Sequence, residues 1–253
     1  MTADLLLALG LDAGTLVFCV LAVIAGAYLK GYTGFGASML WVTSLSLVLP
    51  PLGVVPMVLM FEVVTSVVLL PQIWHDIRWK SILTLLIGVW IATPLGIYGL
   101  SHMPADPIRV GLAAVVFVAA ILILRGFALK REPSRAATLC VGAMAGVLNG
   151  SMGIVGPPVI LFYFSSPIGV VAGRASIIAF FIGTDAVGAA MFASQGLIGS
   201  EVMWRTLVFL PVLVIGVLVG HRGFVKTDVE TFKRVALFVL MALSAALVVR
   251  ALI

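Results

Sequence analysis

Ionisable and polar side chains are scarce in this chain and stand among apolar neighbours, so each of them invites a chemical reading. Lys30 closes the apolar run that begins near Leu16. It opens the segment Lys-Gly-Tyr-Thr-Gly-Phe-Gly-Ala-Ser, where Gly31, Gly34 and Gly36 are interleaved with the hydroxyls of Thr33 and Ser38. Asn149, Gly150, Ser151 and Gly153 form a second such segment, ahead of Gly156, Pro157 and Pro158. An interrupted helix exposes main-chain N–H groups at the positive end of the helix that follows, and glycines let an oxyanion approach them. The chemistry on offer is anion binding. The donors expected are the amides from Gly34 to Ser38 and from Gly150 to Gly153, with Thr33, Ser38, Asn149 and Ser151 beside them. Lys30 either attracts the anion or is tied to Glu62 or Asp185 as a structural ion pair, and its apolar stem also allows it to reach the interface. Glu62 and Asp185 each fall in the middle of an apolar span, where a carboxylate reads as a proton relay or a counter-charge. An anion bound beside either one favours its protonation, which couples proton to anion. Thr65, Ser66, Gln72 and Gln195 are placed to line the same path, with facing headgroups the alternative for Gln72 and Gln195 near their span ends.

These side chains need elements that hold them at membrane depth. Hydrophobic residues make up 62% of the chain and charged residues 10%, with a mean hydropathy of +1.26. Soluble proteins have about 45–50% and about 25% respectively. The class is an all-α polytopic membrane protein. The net charge of +5 sits mostly in short connections. It reports orientation and not affinity for nucleic acid. His75, His102 and His221 lie in separate connections, so neither a metal site, nor a cofactor site, nor an enzyme's acid–base cluster is expected. Cys19 and Cys140 read as small buried hydrophobes. The N-terminus lacks the basic region of a secretory signal and is expected to stay on the mature protein.

Along the chain, apolar runs near 16–29 and 38–49 are each short for a span, and the break at 30–37 between them predicts a hairpin of two short helices. Spans follow near 54–72, 81–99 and 107–126. The basic connector 127–135 separates the halves. The second half repeats the plan, with a helix near 136–148, a break at 149–158, and spans near 174–194, 203–220 and 231–252. Paired landmarks support a duplication: Glu62 stands ten residues before Gln72 as Asp185 stands ten before Gln195, and Trp79-Lys80 matches Trp204-Arg205. With each hairpin returning to its own side, connections 73–80, 125–135, 166–173 and 221–230 share the basic, cytoplasmic face. Each half then crosses an odd number of times, which predicts two inverted repeats, 1–126 and 136–253, each a broken-helix hairpin followed by three transmembrane helices. Gly142 and Gly146, four apart, predict close helix packing. Trp41 and Trp90 are expected to pack inside, and Arg174 to mark a cytoplasmic helix start.

The segments Gly31-Tyr32-Thr33-Gly34-Phe35-Gly36 and Asn149-Gly150-Ser151-Met152-Gly153, with Gly156-Pro157-Pro158, make the sequence resemble the TauE/SafE family of sulfite and organosulfonate exporters over nearly its whole length. The resemblance implies a multi-pass carrier in the bacterial inner membrane that moves a small sulfur-containing anion, such as sulfite or sulfoacetate, and exports more often than it imports. An anion channel, or an importer of a related oxyanion, is the alternative. A protein of this kind has membrane lipid as a partner. Its glycine-rich faces serve either its own halves or a homodimer.

Overall fold

The structure is a computed structural model that describes residues 12–102, 132–152, 155–194, 196, 198–232, 234–236, 238, 239 and 242. The expected span 107–126, most of the connector 127–135 and much of the expected span 231–252 lie outside the described residues. Among those described, the helices are α1 (Ala13–Thr33), α2 (Ala37–Leu45), α3 (Pro51–Ile73), α4 (Trp79–His102), α5 (Arg135–Met152), α6 (Gly156–Ser165), α7 (Val170–Ser194) and α8 (Ser200–Lys226). Segments Ala13–Thr33, Gly53–Asp76, Val170–Ser194 and Ser200–Lys226 are long and apolar enough to cross a membrane. The chain is an all-α, multi-pass membrane protein.

By packing, the chain forms two compact units, Met1–Trp74 with Phe181–Asp228 and His75–Phe180 with Val229–Ile253. The first is built on α1, α2, α3 and α8. One stripe of α1, Val17, Leu21, Ile24 and Tyr28, is exposed, and the opposite face, Cys19, Val23, Gly26 and Ala27, is buried. Both stripes are apolar, as a helix bathed in lipid requires. Gly216 and Gly220 of α8 lie on Ala27 and on the Tyr28 carbonyl, and Gly31 of α1 lies on the Val217 carbonyl. A Cβ at any of these would force the two helices apart. Trp41 of α2 is fully buried, donates its indole N–H to the Val23 carbonyl at 3.1 Å and meets Phe61 edge-on at 5.4 Å. Reaching Val23 from beyond the chain break requires α2 to double back along α1.

In the second unit, α4 and α5 approach through glycine. Gly88 faces the Leu139 carbonyl, Gly142 that of Leu85, and Gly146 that of Val89, so the packing expected of Gly142 and Gly146 is what they do. Four expectations fail across the two units. Cys140 and Trp90 are exposed rather than packed inside, on surfaces where lipid serves as the apolar neighbour. Arg174 is 1% exposed rather than at a helix end facing water. Finally, α1 is 21 residues long, a full span instead of a short half-helix, because its regular structure continues through Lys30.

Candidate functional site

The first break is narrower than residues 30–37. Lys30, Gly31 and Thr33 are helical, and the interruption is Gly34, Phe35 and Gly36. One glycine in a helix costs only about 1 kcal/mol, and Gly31 is needed where α1 meets α8. Two glycines with φ of 86° and 82°, at 34 and 36, make the turn. Such values strain any residue with a Cβ. Gly34 N–H closes α1 on the Lys30 carbonyl at 2.8 Å, and Thr33 Oγ1 accepts from Phe35 N–H at 3.2 Å. Phe35 is buried and anchors the turn.

At the start of α2 the first-turn amide of Ser38 donates to Glu62 Oε1 at 3.0 Å. Glu62 Oε2 forms an ion pair with Lys30 Nζ, and both side chains are buried. Lys30 Nζ also lies 4.6 Å from the centre of the Phe181 ring, a cation–π contact. The donors expected for an external anion from Gly34 to Ser38 are therefore largely engaged. Gly34 and Phe35 are held within the turn, and Ser38 is taken by the protein's own carboxylate. A Glu about three turns into α3 can do this because its side chain projects toward the break once α2 has folded back.

Asp185 belongs to the same neighbourhood. Gly188 of α7 lies against Leu59 of α3, and Phe181 of α7 lies over Lys30 beside Glu62. Going up α3 thus corresponds to going down α7, and 181, 185 and 188 fall on one helical face. Asp185 Oδ1 is 3.4 Å from the Thr184 hydroxyl, and its Oδ2 is buried with no hydrogen-bond partner. Ser66, one turn beyond Glu62 on α3, is fully buried and its Oγ also has none. Buried polar atoms are paired in the great majority of cases, and two of the exceptions among the described residues flank this ion pair. One cation, Lys30, is set against two carboxylates, Glu62 and Asp185.

The second break is also displaced. Asn149, Gly150 and Ser151 are helical, part of α5, whereas they were expected to open the interruption. The physical stop is Pro157 and Pro158, which lack amide donors and suit the first turn of α6. Gly153 lies outside the described residues. Sequence reasoning missed Phe181 as a partner of Lys30. Its position four residues before Asp185, one turn along the same face, was the available signal.

Charges buried at a helix break inside a membrane helix cluster are costly, and a site of that kind is the ordinary mark of membrane transport proteins. No group of His, Cys, Asp and Glu among the described residues could hold a metal ion. The chain belongs to the sulfite exporter TauE/SafE family, whose model matches residues 18–247. A relative described as a probable sulfite/organosulfonate exporter TauE, from Cupriavidus necator, is 28% identical over 234 residues, covering 90% of this chain and 91% of its own. No solved structure matches. Membership makes the chain a transporter and not an enzyme.

Proposed function

We propose that the chain is a secondary transporter that exports sulfite or an organosulfonate such as sulfoacetate across the bacterial inner membrane, coupled to protons through Glu62 and Asp185. The family and the relative's description support the solute class. The observation that carries the mechanism is the Glu62 carboxylate, held between the Lys30 ammonium and the Ser38 amide. A sulfite or sulfonate offers oxygens of the same charge type and similar spacing, so it competes for the same two donors. Glu62 acts as a tethered anion that keeps the site neutral between solutes.

Protonating Glu62 removes its hold on Lys30 and frees the amide, and an incoming oxyanion takes both. The buried Oδ2 of Asp185 is a second proton acceptor on the facing helix. Gly34 and Gly36 keep side chains out of the approach, and Thr33, whose hydroxyl donates to the Leu29 and Phe35 carbonyls, holds the turn that shapes it. Asn149, Gly150, Ser151 and Gly153 are assigned the corresponding task in their own half. The halves 1–126 and 136–253, joined by 127–135, act as inverted repeats. Proteoliposomes loaded with labelled sulfite or sulfoacetate test this. Glu62→Gln, a permanently protonated mimic, should keep flux but lose its pH dependence, and Lys30→Gln should abolish saturable flux. Unchanged pH dependence in Glu62→Gln, or full saturable flux in Lys30→Gln, would overturn it. Accumulation against a gradient separates a carrier from an anion channel.

A further inference from the structure

A cavity in the second unit has the makings of a separate anion site. It measures about 350 Å³, within the range that small ligands occupy. Its wall is formed by the start of α4, the start of α5 and the end of α6. Arg78, Lys80 and Arg135 face it, opposed by the single carboxylate of Glu132. Among the described residues none of these three cations is in an ion pair. Hydroxyls of Ser81, Thr84, Thr138 and Tyr163 line the same space, and Ile77, Phe162 and Ile168 give it an apolar side.

The wall is fixed rather than a loose gap between helices. Tyr163 Oη donates to Ser81 Oγ at 3.2 Å, which ties α6 to α4. The Arg78 amide donates to Ser176 Oγ at 3.0 Å, tying the start of α4 to α7 within this unit. The glycine contacts of Gly88 and Gly142 set the approach of α4 and α5. Trp79, exposed beside the cavity, is an interfacial side chain by type. With connection 73–80 expected on the basic, cytoplasmic face, we read the cavity as lying at the headgroup boundary there.

We propose that this cavity binds a tetrahedral oxyanion borne on a small polar group. Planar guanidinium groups grip such oxygens in pairs, the Ser81 hydroxyl serves a remaining lone pair, and the apolar wall takes the carbon skeleton. Two sources carry that chemistry, the phosphodiester of an acidic phospholipid and a free sulfur oxyanion. Basic pockets between membrane helices on the cytoplasmic side do hold acidic headgroups. The inference does not rest on the Lys30–Glu62 reading.

The full chain, placed in nanodiscs of phosphatidylcholine with or without phosphatidylglycerol, provides the test. Native mass spectrometry reads retained phosphatidylglycerol, and a thermal shift with sodium sulfate, against sodium chloride at matched ionic strength, reads the free anion. Arg78→Gln/Arg135→Gln should bind the effective probe about tenfold or more weakly, since each lost group removes a charge-assisted hydrogen bond. Loss of phosphatidylglycerol retention assigns the site to lipid, and loss of the sulfate shift in pure phosphatidylcholine assigns it to the free anion. If neither probe binds the parent chain, or both bind the double variant equally well, the proposal fails. Should that variant not fold, Lys80→Gln allows the same comparison.

Discussion

Replacing Glu62 with Leu tests whether the Lys30–Glu62 pair is a tight, dry contact. Side-chain exposure is 0% for Lys30 and 4% for Glu62. Removing one member of such a pair leaves an uncompensated charge and costs about 3–5 kcal/mol. The Ser38 amide also loses its acceptor, at about 1 kcal/mol. The Phe181 ring faces the ammonium in parent and variant alike and so offsets little of this. The single variant should therefore lose about 4–6 kcal/mol. Lys30→Met with Glu62→Leu replaces both charges with apolar groups of similar length. It should return to within about 1–2 kcal/mol of the parent, because apolar replacement of a buried pair is often neutral. Reversible unfolding in mixed micelles, run as a double-mutant cycle, measures both. A single-variant loss under about 1 kcal/mol, or additive effects in the cycle, would refute the dry pair. Flux adds a second reading: a folded double variant that still transports would remove Lys30 and Glu62 from the solute path while leaving their stabilising role intact.

Gly142→Ala and Gly146→Ala should each destabilise the protein by about 1–3 kcal/mol in the same unfolding assay, because a Cβ would press on the Leu85 or Val89 carbonyl, whereas Gly199→Ala, with nothing within 4 Å, should change little. Gly36→Ala should cost about 1–2 kcal/mol, since φ is 82° there, and circular dichroism should show helix content otherwise unchanged. Asp12 caps α1 by accepting from the Thr15 amide at 2.9 Å. Hydrogen bonds from the Thr15 side chain and amide hold its carboxyl below the ordinary carboxylate range. A depressed carboxyl stabilises above its unfolded value and loses that contribution as pH falls through the folded one. Acidification should therefore lower the protection factor of the Thr15 amide, its exchange taken relative to the intrinsic rate at each pH, and Asp12→Asn should remove the pH dependence of that factor.

Membrane class, the spans near 54–72, 174–194 and 203–220 and the glycine seam of α4 and α5 could be read from composition and spacing alone, because lipid demands apolar surface on every side and a missing Cβ is visible in any sequence. The glycines at 216 and 220 carried the same four-residue signal for α8. Break boundaries were harder. A lysine at the edge of an apolar run looks like the end of a helix, yet Lys30 stays helical because Glu62, distant in sequence, takes its charge. Asn149 and Ser151 likewise look like an opening, but a helix tolerates them until prolines remove the donors. The use of the Ser38 amide by Glu62 could not be inferred from spacing, because it depends on α2 folding back over α1.

Concealment of the Lys30 amine has a practical side. Acylating reagents need an uncharged amine that water can reach, and an ammonium clasped by a carboxylate and roofed by an aromatic ring offers neither. Exposed Lys80 will be labelled at once, whereas Lys30 will be labelled only as often as its clasp opens. The ratio of the two modified peptides over time then clocks the opening of this membrane interior from a single tube, with no radiolabel and no gradient.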